Sequence, residues 1–469
     1  MEKRSLTISI RKVNISFTPL EVYSRVRGLF DRSFLLESVE GKEKIARYSF
    51  IGFDPLLEFK SRGKEVERNG ECYRVEDPYE EMARVFNSFE CDKDRERDKA
   101  GRGKLPFSGG LVGFFSYDIV RFFEDLPSSL PDTLGCPDAH FIIPAYLLCF
   151  DHLKKEVSLV SLSYKKDKDK DKDKDKNSEE MEELIGKVDV DGEVKVDEFS
   201  ISTVRAEIEK DEFEEGVVKA KEYIREGDIF QVVLSRRVEA DYRGDPLSLY
   251  KVLRSTNPSP YMFFLDYGNI VVGSSPEMLV RLRDGILTLR PLAGTRKRGR
   301  TREEDELLKV EMLLDEKERA EHIMLVDLGR NDIGRVARLG SVEVTELMGI
   351  EKYSHVQHIV SNIRAELAEG KDAFDVLRSS FPAGTVTGAP KIRAMEIIEE
   401  TEKSRRGIYA GGVGYFDFSG NLDFAITIRT MFTAGKKAYF QAGVGIVADS
   451  VPEMEFAETE NKLRALVTT

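Results

Sequence analysis

Residues 165–176 read KKDKDKDKDKDK, followed by Asn177, Ser178 and more acidic residues. Opposite charges alternate at period two, so the run offers an apolar face neither as a strand nor as a helix. It cannot enter a core and reads as a solvated linker or surface insertion, a docking tail being the alternative. The run divides the 469-residue chain into an N-terminal domain over 1–162, a charged linker or insertion over 163–197 and a second domain over 198–469. A lesser charged stretch at 92–104 reads as a loop within the first domain. Segments of this size can build cores without disulfide or metal staples.

Acidic residues outnumber basic ones, 85 against 72, for a formal charge of −13. That balance disfavours a nucleic-acid surface, which needs a basic excess, but leaves room for a local basic pocket that takes a small anion. Four scattered cysteines, Cys72, Cys91, Cys136 and Cys149, show no zinc spacing and read as reduced thiols of a cytoplasmic protein. Residues 1–13 alternate charged and apolar side chains, unlike the apolar core of a signal peptide. The longest near-apolar stretch, 141–150, is far shorter than the ~20 residues of a membrane helix. A cytoplasmic protein with no membrane and no nucleic-acid partner is expected.

In the first domain, 48–52 and 109–117 have strand composition. In the second, 303–327 places Leu307, Leu308, Val310, Met312, Leu313, Ile323 and Leu325 at helical spacing, and 371–380 and 391–401 also read as helices. Strands are expected at 408–418, 421–432 and 438–447, with a hairpin at Ser419-Gly420-Asn421, and a strand or short helix at 353–363. Short links between successive strands favour antiparallel pairing. The expected class is α+β: large, mostly antiparallel sheets with helices packed outside.

Two glycine-rich segments mimic nucleotide motifs. GVGIVA at 443–448 fits a relaxed dinucleotide fingerprint, but the next helix signal comes only at 450–453, where SVPE reads as a capping box with proline in the first turn. Glycines there suit a close backbone approach to a carboxylate instead. GTVTGAPK at 384–391 lacks the Gly-Lys-Ser/Thr ending of a P-loop, leaving either a capped helix start or an anion site. Glu318 and Glu321 share a helix face at i,i+3, and Glu455 and Glu458 repeat the spacing with Lys462 one turn on. Such oxygen ligands suit Mg²⁺, although solvated glutamates give the same spacing. His322, His355 and His358 lie in the second domain; His358 sits among Val356, Ile359 and Val360, as a proton-transfer group or as a core histidine.

Taken together, DIFQVVLSR (228–236), NPSPYMFF (257–264), SSPEM (274–278), RPLAGTR (290–296), EHIMLVDLGRND (321–332), FPAGTVTGAPK (381–391), GIYAGGVGYF (407–416) and QAGVG (441–445) resemble the chorismate-utilising enzymes. They are most similar to the large subunits (component I) of anthranilate synthases. LLES at 35–38 and GGLVGFFSYD at 109–118 extend the likeness to the first domain. The resemblance implies Mg²⁺-dependent amination of chorismate with ammonia, then loss of pyruvate to give anthranilate. It implies Glu277 as the general acid toward the leaving hydroxyl and His358 as the group that takes the ring proton. Thr295, Thr385, Tyr409, Arg429, Gly443, Val444, Gly445 and Lys462 would bind substrate. Glu321 and Glu458 would be Mg²⁺ ligands, with Glu318 and Glu455 as direct or water-mediated partners.

Two positions bear on the nucleophile. Ala293 stands where aminodeoxychorismate synthases have a lysine that attacks, and Gln231 where isochorismate and salicylate synthases have a lysine that activates water. Both departures favour ammonia. The resemblance further implies a separate glutamine amidotransferase subunit in a hetero-oligomer. It also implies feedback inhibition by tryptophan, held by Leu36, Ser38, Pro260, Tyr261, Met262, Val413 and Tyr415, of which plain interdomain packing would also explain Leu36, Tyr261 and Met262. An aminodeoxychorismate synthase component I, a non-catalytic tryptophan-binding homologue and a nucleotide-dependent enzyme are the alternatives.

Overall fold

A computed structural model of the chain describes residues 4–39, 47–91, 105–165, 186, 196–353 and 356–467. Most of the Lys-Asp run, the 92–104 loop and His355 lie outside the described residues. The first segment supplies β1 (Arg4–Val13), β2 (Ser33–Glu37), β3 (Tyr48–Arg62), β4 (Gly110–Phe115), β5 (Ala139–Asp151) and β6 (Glu156–Tyr164). The second supplies β7 (Gln231–Arg243), β8 (Tyr261–Tyr267), β9 (Asn269–Ser275), β10 (Met278–Arg283), β11 (Ile286–Leu289) and β12 (Leu292–Lys297). It continues with β13 (Glu343–Lys352), β14 (Val356–Glu366), β15 (Gly412–Asp417), β16 (Leu422–Ile426), β17 (Thr430–Ala434) and β18 (Lys437–Ile446). The helices are α1 (Pro19–Val26), α2 (Pro78–Asn87), α3 (Lys210–Glu226), α4 (Pro246–Thr256), α5 (Arg302–Leu314), α6 (Glu316–Gly334), α7 (Ala373–Ser380), α8 (Lys391–Thr401) and α9 (Pro452–Val467).

Strand β5 is where the sheet forks. One edge pairs with β3, while the other is shared between β4, opposite 139–142, and β6, opposite 146–151. From β3 a first arm runs through β2, β8, β9, β17, β18 and β7. From β4 a second arm runs through β15, β16, β10, β11 and β14, with β12 and β13 also on β14. All these pairings are antiparallel. The break in composition at 163–197 is therefore not a break in the sheet: β2 finds its second partner in β8, and β4 in β15. Ser163 and Tyr164 still belong to β6, because Tyr164 pairs with Leu6 and Ser163 with Thr7.

Side chains alternate across a strand, and β8 shows what that does here. Phe263, Leu265 and Tyr267 enter one apolar cluster with Val112, Phe114 and Phe115 of the second arm. Met262 and Phe264 enter another, with Val22 and Tyr23 of α1 and Tyr250 and Leu253 of α4. The Tyr267 hydroxyl donates to the Val112 carbonyl at 3.0 Å, fastening one arm to the other. No helix among the described residues is long and apolar enough to cross a membrane.

Several elements match the sequence pattern closely, including α8 and the hairpin at 419–421, whose Gly420 has φ 89°. Four differ. The helix expected over 303–327 is two, because Asp315 leaves the helical region (ψ 112°) and its carboxylate caps α6 on the N–H groups of Lys317 and Glu318. The strand expected over 421–432 is broken at 427–429, where Arg429 takes φ 50°. The strand expected from 408 begins at Gly412, behind a turn with Ala410 at φ 63°. The Ser450 hydroxyl receives the Val447 N–H at 3.1 Å in place of a capping-box bond, and α9 starts at Pro452.

Phe416 is fully buried, stacked on Phe374 at 4.3 Å and against Phe424 at 5.0 Å. Phe416→Ala is expected to cost about 3–5 kcal/mol, read as a fall in the denaturant midpoint with unchanged slope.

Candidate active site

The chain crosses from the first arm to the second at 276–277, between β9 and β10, and returns at 427–429, between β16 and β17. The two crossings are bonded together. Ser275 Oγ donates to the Ile426 carbonyl at 2.6 Å, the Ile426 N–H to the Glu277 carbonyl at 3.1 Å, and the Ser274 N–H to the Arg429 carbonyl at 3.2 Å. Glu277 thus sits on one corner and Arg429 on the other.

Glu277 is 7 % exposed, and its carboxyl is pushed up to about 8. Burial is the cause; the Thr385 hydroxyl, the Leu292 amide and the Arg429 guanidinium oppose it incompletely. It is a protonated acid at neutral pH. Arg429 is half-buried, and burial holds it below the usual arginine value despite Glu277. Among the described residues it closes no ion pair.

His358 lies on β14, in register with Thr295 of β12 on one side and Glu351 of β13 on the other. The Thr295 side chain lies outside the described part. His358 Nδ1 is 3.2 Å from the Gly294 carbonyl, an obligate acceptor, so Nδ1 carries the hydrogen and Nε2 the basic lone pair. Burial pushes the imidazole down to about 4, and it is neutral at pH 7. The carbonyl reaches it because β12 bulges between Ala293 and Thr295, with Gly294 at φ 71°. Ala293 itself pairs with Ile359.

Gly443, Val444 and Gly445 form part of β18, opposite Ser235, Leu234 and Val233 of β7. A Cβ on Gly443 would lie 2.4 Å from the Tyr409 hydroxyl, and one on Gly445 would lie 2.2 Å from Gln231 Nε2. Both glycines are needed for those side chains to lie over the strand. Among the described residues Gln231 Oε1 is buried without a hydrogen-bond partner. So is Thr385 Oγ1, near enough to lower Glu277 but closing no bond of normal geometry with it. Buried polar atoms are rarely left this way, and two here leave unused hydrogen-bonding capacity. Thr385 stands in the short turn Gly384–Val386. Lys462 Nζ donates to the Gly443 carbonyl at 2.9 Å and to Glu458 at 2.7 Å.

Helices α6 and α9 bring their acidic faces into range of each other. Burial raises Glu321, with Glu318 and Glu455 adding to it; burial raises Glu455, with Glu458 adding. Glu318 pairs with Arg296 at 2.8 Å. Among the described residues no three His, Cys, Asp or Glu side chains form a ready metal shell. The donor set nevertheless fits a hard dication: half-buried Glu321 and Glu455, on two helices, hold protons more tightly because burial and neighbouring carboxylates outweigh Lys317 and Lys462.

A separate cavity of about 420 Å³ lies between the segments. Leu36, Ser38, Pro260, Tyr261, Met262, Val413 and Tyr415 all line it, so the structure brings these seven together. The Ser38 hydroxyl donates to the Pro260 carbonyl at 2.7 Å. Tyr261 donates to Asp423 at 3.0 Å, and Asp423 also receives Arg281 at 2.8 Å.

The family model for chorismate binding enzymes matches residues 31–468. The chain belongs to the chorismate binding enzyme family. Among curated relatives in the family it is 47 % identical to anthranilate synthase component 1 of Acetivibrio thermocellus, over 96 % of this chain and 92 % of the relative. It is 46 % identical to the protein of the same name from Aquifex aeolicus, over 96 % and 91 %. Among solved structures, anthranilate synthase component I from Streptococcus pneumoniae superposes with a TM-score of 0.80 at 36 % identity, covering 91 % of this chain and 93 % of that one. The menaquinone-specific isochorismate synthase of Escherichia coli shares the fold, with a TM-score of 0.75 at 17 % identity over 100 % and 95 %.

Sequence reasoning missed the groups that hold these side chains in place. Arg296 ends the RPLAGTR segment and pairs with Glu318, but no spacing links a strand to a helix that follows later. The carbonyl of Gly294 and the amide of Leu292 are backbone groups, which residue identity does not advertise.

The Glu277 shift makes a stability prediction. The folded chain keeps the proton up to about pH 8, whereas the unfolded chain releases it near 4.5. Stability present below pH 4.5 is therefore lost as pH rises toward 8. Glu277→Gln carries no such loss. Its unfolding free energy is expected to match the parent's near pH 4.5 and to exceed it at pH 8 by on the order of a few kcal/mol, read from denaturant melts at the two pH values.

Proposed function

We propose that this chain is a chorismate-aminating large subunit that forms anthranilate, in which the protonated, buried Glu277 beside the unpaired Arg429 drives the first chemical step. Arg429 and Tyr409 take the enolpyruvyl carboxylate, where a guanidinium fork suits two planar oxygens. The N–H groups at 443–445, the Thr385 hydroxyl, Thr295 and Lys462 complete the anion site. Mg²⁺, held by Glu321 and Glu458 with Glu318 and Glu455 beside them, would bind the ring carboxylate and offset its charge.

Glu277 gives its proton to the ring hydroxyl as the carbon–oxygen bond breaks and water leaves. Ammonia forms the carbon–nitrogen bond and sheds its extra proton. His358 Nε2 then takes the ring proton; the electron pair makes the ring aromatic as the ether bond breaks and pyruvate departs as its enolate, which takes up a proton from solvent. Loss of a proton that yields an aromatic ring is steep enough for a neutral imidazole of low basicity. Ala293 offers no nucleophile and Gln231 no ionisable base, which leaves ammonia as the attacking group.

The cysteines at 72, 91, 136 and 149 stand in no Gly-x-Cys-x-Gly elbow, so these residues supply no thiolate for glutamine hydrolysis by that route. A glutamine amidotransferase partner in the cytoplasm, joined in a hetero-oligomer, provides the ammonia on this reading. The relatives' name, component 1, supports a second component.

Chorismate, Mg²⁺ and ammonium incubated with the purified chain are expected to yield anthranilate, with product lost on chelation. At saturating free ammonia kcat/KM for chorismate should fall above about pH 8, where Glu277 of the free enzyme loses its proton. Glu277→Gln should lose about 10²–10⁴-fold in kcat. Aminodeoxychorismate or isochorismate as product would overturn the assignment of Ala293 and Gln231, and untouched chorismate the reading as a whole.

The 420 Å³ cavity is the proposed tryptophan site, within the span of about 300–1,000 Å³ common for small ligands. Its wall joins Ser38 of one segment to Pro260 of the other, so a ligand there can bias how the segments sit and act on the site at a distance. Ser38→Ala is expected to raise the tryptophan concentration for half-inhibition about tenfold, the worth of one hydrogen bond. Unchanged inhibition would remove Ser38 from the site.

A further inference from the structure

Arg406 follows Tyr117 and Tyr409 into the interior behind the substrate residues and is 1 % exposed. Its guanidinium spends every nitrogen. Nε donates to Glu402 Oε2 at 3.0 Å, and one terminal nitrogen to Glu402 Oε1 and the Val233 carbonyl at 2.7 and 2.6 Å. The other terminal nitrogen donates to the Val386 carbonyl at 2.7 Å. The planar cation also lies over two rings, 5.0 Å from the centre of Tyr117 and 5.5 Å from that of Tyr409. Glu402 in turn accepts the Ser235 N–H at 2.9 Å and its hydroxyl at 2.7 Å.

Each contact leads to a part of the anion site. Val386 is the residue after Thr385, in the same short turn. Val233 and Ser235 are the register partners of Gly445 and Gly443. Tyr409 lies with its hydroxyl over Gly443. The Thr385 turn, strand β7 and the Tyr409 ring all end on one side chain, beside the backbone bonds that run from β7 to 387–389, where the Val233 N–H donates to the Thr387 carbonyl at 2.8 Å. We propose that Arg406, locked by Glu402, is a positioning residue that sets the spacing between the Thr385 turn, the Gly443–Gly445 strand segment and the Tyr409 ring, and so sets the affinity for chorismate. It touches no reacting atom. A lysine keeps the charge but has no fork to span the acceptors and no plane to lie between two rings.

The inference rests on the chorismate reading above, and a parent-enzyme control separates the two: a parent that leaves chorismate untouched refutes that reading before any variant is compared. Two variants carry the test. Arg406→Lys keeps the buried charge opposite Glu402. The double variant Arg406→Met with Glu402→Gln removes both charges together, so neither is left stranded in the core. Each is assayed with ammonium for KM and kcat and checked for folding by thermal melt.

The expected result is a rise of at least tenfold in the KM for chorismate with kcat held within about threefold, in a chain that still melts cooperatively. Thr385→Val, expected to raise KM in the parent, should add little in either background, where its turn is already displaced. A folded variant with unchanged KM for chorismate, or one in which Thr385→Val acts as strongly as in the parent, would reduce Arg406 to a scaffold group. If the double variant does not fold, Arg406→Lys decides alone by the same two readings.

Discussion

Three hydrogen bonds between the two crossings of the chain, at 274–277 and 426–429, hold the rest in place. A strand that leaves its ladder frees backbone groups that must be satisfied elsewhere. Here each crossing satisfies the other. That arrangement lets a carboxyl and a guanidinium stand close together in the interior, at the junction of the two arms, without either being part of a regular strand. It also explains the positive φ of Arg429, an uncommon backbone state for a large side chain that the surrounding structure must impose.

Burial then sets the charges. Glu277 is neutral because its three polar neighbours do not offset desolvation, and His358 is neutral because burial outweighs the Gly294 carbonyl. Among the described residues Arg429 is left as a cation in no ion pair. One side of the site is thus electron-poor, while α6 and α9 carry surplus negative charge on the other. A dicarboxylate can be held across such a site only if one carboxylate meets the guanidinium and something positive stands between the other and the glutamates. The proposed Mg²⁺ would meet that need.

Much of this was legible in the chain. Helix α8 and the 419–421 hairpin follow from periodicity and turn chemistry, since both depend on neighbours in sequence. Glu277 and Arg429 came from resemblance, and spacing alone would not have singled them out, whereas spacing had already offered the glutamate pairs at 318 and 321 and at 455 and 458 as Mg²⁺ ligands. The break at Asp315 had a local signal, an aspartate three residues before Glu318. The break at 427–429 had none: no glycine, proline or asparagine marks it, because the crossing is imposed by strands far away in sequence. The Lys-Asp run was a sound sign of a composition boundary and a poor guide to the sheet, since hydrogen-bonded pairing passes from β2 to β8 and from β4 to β15 regardless of it.

The weave has a consequence for how the protein is made. Strands β2 and β4 leave the ribosome early, yet β8 and β15, their partners, are translated hundreds of residues later. Until then the nascent first segment carries two strands with an open hydrogen-bonding edge and apolar side chains on both faces, a surface prone to wrong association. Loop closure over such distances is slow. The sheet of the early segment therefore cannot be completed until the last third has been synthesised.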